Sequence, residues 1–146
     1  MAEKDYTIEV EAYSKLHEFS FAGEVLPKYY ESWLLNVLIY HNCRYHRRTV
    51  RMVLLEHVQG TPMNTIDPES LSEEDQENIM FRLIEAYFDL LFAGLRHDDL
   101  ELRNVIISTK DPTTTGSELR VRVVDFARSS VLDLWLWDES NSLFEW

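Results

Sequence analysis

Residues 72–95 constrain the fold more than any other stretch, because their apolar positions cover more of a helix than one neighbour can bury. Ile79, Leu83, Tyr87, Leu90 and Leu91 recur at helical spacing, and Met80, Ile84 and Phe88 widen the stripe. Ser72 and Asp75 have the spacing of a capping box, and Glu73 and Glu74 suit the positive end of a helix dipole. Gly94 is the natural stop signal. Such a helix needs packing partners on more than one side, so the chain before and after it must supply a layered core.

Residues 7–19 predict an earlier helix, with Ile8, Ala12, Leu16 and Phe19 on one face. After a turn at Gly23, residues 25–40 predict a strand entered through Pro27, and residues 49–58 a second, buried strand that stops at Gly60 and Pro62. The polar stretch "HNCRYHRR" between them predicts a hairpin loop. Beyond the long helix, residues 104–108 and 119–126 predict two more strands, joined by a turn containing Pro112 and Gly116. No internal repeat interrupts this order, so the expected fold class is α+β in a single domain over residues 1–146.

Composition narrows the function classes. A chain of 146 residues that is 45% hydrophobic can bury a core. With 26 acidic against 14 basic residues, its net charge of −12 argues against a phosphate-backbone surface, so no nucleic-acid partner is expected. The single cysteine, Cys43, cannot form an internal disulfide and fits a reducing compartment. "MAEKDYTIEV" lacks the positive flank and apolar run of a secretory signal, and no segment is apolar for the length of a membrane span. An intracellular protein, in cytoplasm or nucleus, with no membrane partner is the expectation. His41, Cys43 and His46 offer soft-metal ligands without a clear fourth, beside the plainer reading of a polar loop. Trp135, Trp137 and Trp146 fall in an acidic, aromatic tail over 129–146. They are expected to cover the long helix, or else to meet a protein partner.

The chemistry concentrates in "RHDDLELRNVII", residues 96–107, which sets Asp98, Asp99 and Glu101 at the mouth of an apolar run. Crowded carboxylates repel unless something positive sits among them. "HDDLELRN" resembles the catalytic loop H-R-D-L-x-x-x-N of protein kinases, and "VVDFAR" resembles their D-F-G segment. "VLLEHVQGTPM" is similar to the last upper-lobe strand and hinge, "VLPKYYESWLL" to the strand before it, and "EVEAYSKL" to the helix that carries the ion-pairing glutamate, with Glu9 at that position. The match follows one order up to about residue 128 and looks most like fungal protein-kinase-like sequences, overlapping aminoglycoside and choline phosphotransferases.

The resemblance implies a truncated protein-kinase-like fold: residues 1–58 an upper-lobe remnant, 59–128 the hinge and lower-lobe core. It implies transfer of the ATP γ-phosphate to a hydroxyl acceptor, with Asp99 orienting that hydroxyl and Asn104 and Asp125 holding Mg2+. Glu56 and Val58 of the hinge would contact the nucleotide, and His97 would brace the loop. Asp98 stands in place of the loop arginine, Glu101 where a lysine is usual, and Ala127 in place of the last glycine. The four glycines form no G-x-G phosphate-covering loop, no lysine is placed to meet Glu9, and no A-P-E segment follows Arg128. Impaired transfer by this chain is therefore expected. The alternatives are a non-catalytic, pseudokinase-like module that binds a protein, or a truncated gene product.

Overall fold

The structure is a computed structural model that describes residues 2–109 and 119–132. The loop around Pro112 and Gly116 and the tail tryptophans lie outside the described residues. Among the described residues, two α-helices and seven short or antiparallel strands make an α+β fold. Helix α1 (Ala2–Leu16) is followed by strands β1 (Tyr29–His41), β2 (Arg44–Leu55) and β3 (Thr61–Pro62). Helix α2 (Glu73–Phe92) precedes β4 (Leu95–His97), β5 (Val105–Thr109), β6 (Leu119–Val123) and β7 (Ser129–Val131).

Helix α2 forms as its sequence dictates. Ser72 Oγ accepts the Asp75 amide proton at 3.1 Å, and its hydroxyl donates to Asp75 Oδ2 at 2.7 Å. At the other end Gly94 takes a φ of 74°, the left-handed conformation that glycine adopts without a Cβ penalty. Helix α1 differs from expectation: it begins at Ala2 and ends at Leu16, so Phe19 lies beyond it in a series of turns. Ala12, Tyr13 and Leu16 still form the buried face.

The larger correction concerns the first hairpin. "HNCRYHRR" is not a loop. The turn is only Asn42–Cys43, both at positive φ as a type I′ hairpin requires, and Arg44–Arg48 already belong to β2. The strand expected at 49–58 accordingly starts five residues earlier and ends at Leu55. Register runs from Tyr29 opposite Leu55 to His41 opposite Arg44. The ribbon has no third strand among the described residues.

A second sheet has the order β3-β5-β6, and β4 pairs with β7. Gly60 explains how β3 reaches β5: a Cβ there would stand 2.5 Å from the Ile107 carbonyl oxygen and 2.6 Å from Ile106 Cγ2. One buried cluster joins Tyr13 and Leu16 of α1 to Leu26, Leu90, Leu95, Val123 and Phe126; a second joins Ile79 of α2 to Val105, Ile107 and Val121. Leu83 and Leu100 pack against both, making one continuous core around the loop that links β4 to β5. No helix among the described residues is long and apolar enough to cross a membrane.

Candidate functional site

The loop after β4 is fixed from several sides. His97 is buried, with its ring 5.0 Å from that of Phe126. Its Nε2 lies 3.2 Å from the Val124 carbonyl, and its Nδ1 is 3.3 Å from the Asp99 amide. A carbonyl only accepts and an amide N–H only donates, so the ring carries its proton on Nε2. His97 therefore ties the Asp99 backbone to the strand end before Asp125.

Asn104 makes the second tie. Its buried side-chain Nδ2 donates to the Asp99 carbonyl at 2.9 Å, while its own carbonyl accepts the Val124 amide at 2.9 Å. Asp99, Asn104 and Val124, the residue before Asp125, thus belong to one hydrogen-bonded unit. Asp125 completes it at a φ of 63°, a left-handed conformation that aspartate tolerates better than most residues. The strain persists because Val124 is held on one side and fully buried Phe126 on the other. The Asp125 carboxylate accepts the Ala127 amide at 3.4 Å and is exposed.

The crowded acids find their positive charge within the chain. Arg103 Nη2 contacts both carboxylate oxygens of Asp99, at 3.1 and 2.9 Å, and its Nη1 pairs with Glu101. Asp98 is bound by Arg96 and by the Ser130 hydroxyl, and these hydrogen bonds hold its carboxyl below the usual range. All three acids are thus neutralised by arginines of the same segment. Asp125 differs, for no cation pairs with it among the described residues.

Helix α1 adds to that imbalance. Burial raises the Glu9 carboxyl pKa, and the Asp125 charge raises it further. Burial and the same two acids also raise the Tyr13 hydroxyl. That hydroxyl is buried beside the Asp125 backbone and makes no hydrogen bond of good geometry among the described residues. Glu9, Tyr13 and Asp125 therefore gather negative charge and an unmet polar atom in one place.

Glu56 and Val58 lie on the extended stretch between β2 and β3. The Glu56 side chain is engaged: Oε1 accepts from Arg122 at 2.9 Å and Oε2 from the Lys28 amide at 3.1 Å. Partial burial pushes its carboxyl up, but the Arg122 hydrogen bond, the Lys28 amide and the two positive charges together leave it below 4.5. Arg122 sits on the strand that leads into Asp125, so Glu56 anchors that strand, and Val58 is half-buried. The Glu56 amide already donates to the Lys28 carbonyl at 2.8 Å.

Sequence reasoning missed Arg103, Tyr13 and Arg122. Only Arg103 carried a signal, its spacing of four from Asp99. His41 and His46 share one face of the ribbon through their partners Arg44 and Ile39, and Cys43 is in the turn. Among the described residues, no group of three or more His, Cys, Asp or Glu side chains is placed to hold a metal ion. The pair that the resemblance assigns to Mg2+, Asn104 and Asp125, is a different one, an amide and a carboxylate. Oxygen donors of this kind suit Mg2+, which keeps several waters and takes only one or two carboxylates from a protein. Asn104 spends its nitrogen on Asp99 and retains Oδ1. No family model matches the chain, and no curated protein matches it either.

Proposed function

We propose that this chain is a kinase-like, phosphotransferase-type protein that binds Mg2+·ATP in part through Asn104 and Asp125. One observation carries the reading: Asn104 bonds the Asp99 carbonyl through its side chain and Val124 through its backbone, joining the two motif segments beside an aspartate that pairs with no cation among the described residues. In this reading Asp99 orients an acceptor hydroxyl, and Mg2+, when bound, neutralises phosphate charge. The segment of Glu56 and Val58 borders the nucleotide, with Glu56 acting through its backbone because its side chain holds Arg122.

The Arg103–Asp99 ion pair favours a second reading, a non-catalytic module that binds nucleotide or a protein partner. An arginine gripping both carboxylate oxygens competes with any proton on its way to Asp99.

Thermal unfolding with millimolar Mg2+·ATP tests the proposal. A ligand at a hundred times its Kd stabilises the folded state by about 2.7 kcal/mol, a rise of several degrees in Tm. The rise should shrink in Asp125→Asn. No rise in the wild type would remove the nucleotide reading. A rise without phosphate transfer to any hydroxyl acceptor would leave the non-catalytic one.

A further inference from the structure

The two edges of the β1–β2 ribbon are not alike. Among the described residues these strands pair only with each other, so each keeps one edge without a strand partner. β2 carries Arg44, Arg47 and Arg48 close together, a row of like charge that keeps a second β2 away. In β1 the only acidic or basic side chain besides the terminal His41 is Glu31, and no proline interrupts the strand. A long, apolar, uncharged edge invites another strand.

Register decides which backbone groups face that edge. The two-residue turn at Asn42–Cys43 makes His41 and Arg44 a hydrogen-bonded pair, and the pairing then alternates without a shift back to Glu31. Leu34, Asn36, Leu38 and Tyr40 fall at the other positions, so their N–H and C=O groups point away from β2. The side chains of Leu34, Leu38 and Tyr40 are more than half exposed as well. Nearer the base of the strand, the Tyr6 hydroxyl reaches the Trp33 carbonyl at 3.5 Å, so α1 attends β1 there and the open stretch is 34–40.

That stretch suits a copy of itself. Set antiparallel about a two-fold axis, two such strands bring only uncharged side chains together, and the arginines of both β2 strands lie on the outer edges. A strongly charged visitor finds no opposite charge on this strand. We propose that β1 pairs with β1 of a second copy through residues 34–40, giving a four-stranded sheet in the order β2-β1-β1-β2. Formation follows mass action, so dilute chains are monomers. The proposal is independent of nucleotide binding.

Amide hydrogen exchange on the full chain under reducing conditions, run beside sedimentation from dilute to millimolar protein, tests it. As dimer forms, the Asn36, Leu38 and Tyr40 amides should slow about tenfold or more, while Tyr45, Arg47 and Thr49 on the β2 edge stay fast. Leu38→Pro removes an outward N–H and no bond of the ribbon, and should leave a monomer. Leu38→Lys opposes like charges across the same edge and should do so too, which covers a hairpin disturbed by proline. A parent chain still monomeric at millimolar concentration would overturn the proposal. So would a dimer that persists in Leu38→Lys, or one that protects Tyr45, Arg47 and Thr49 instead. Slow exchange at Asn36, Leu38 and Tyr40 at every dilution would also overturn it, since the cover would then come from the same chain.

Discussion

The β1–β2 ribbon and the loop unit around Asp99, Asn104 and Asp125 are built from similar apolar alternation, yet they end in opposite environments. In the ribbon Leu34, Leu38, Tyr40, Tyr45 and Met52 stay exposed, because the two-stranded ribbon meets no further strand among the described residues. In the loop unit Val105, Val123 and Phe126 are almost wholly buried, since α1, α2 and β6 close on them from different directions. Alternation makes a strand, but neighbours make it a core. A site whose backbone must hold a strained aspartate belongs in the second environment.

The sharpest way to break this contrast is a matched pair of truncations. Phe126→Ala removes a ring packed edge-on to Tyr13 at 5.1 Å and against His97, and should cost about 3–5 kcal/mol in denaturant unfolding. Leu38→Ala, at 65% exposure, should cost under about 0.5 kcal/mol. Equal losses would mean that the ribbon is packed against something in solution. A smaller effect of opposite sign is expected at the ribbon tip. Cys43→Gly places glycine at a φ of 58° and should stabilise by about 0.5–1 kcal/mol in the same experiment.

The smallest expected effect is a pH dependence in the loop unit. Glu9 has its pKa raised above 4.5 by burial and by Asp125, so the folded state holds that proton more tightly than the unfolded chain. Its penalty is absent well below pH 4.5 and appears as pH rises through the raised folded value. Glu9→Gln should therefore raise Tm slightly at pH 7, and the gain should fade as pH drops below 4.5. A gain that is unchanged by acid would show that neither burial nor Asp125 penalises the charged Glu9 carboxylate.

Local signals were the legible ones. Ser72, Asp75 and Gly94 act within one turn of α2, and the structure places all three as caps. The bracing role of His97 against Phe126 was readable through motif spacing. The ribbon tip misled because arginine and histidine look like loop residues, whereas an exposed ribbon accepts them on both faces. Asn42–Cys43 also lacks the glycine that usually announces a tight turn. The Glu56–Arg122 pair spans 66 residues, and Tyr13 meets Asp125 only through tertiary packing; no spacing encodes either.

Amide chemical-shift mapping with Mg2+·ATP tests the central claim most directly. The account predicts shifts at residues 97–104 and 124–127, none along 34–51, and affinity weakened about tenfold or more, roughly 1.4 kcal/mol, in Asp125→Asn. Shifts absent from 97–104 and 124–127 at millimolar Mg2+·ATP, or shifts equally strong in Asp125→Asn, would contradict it.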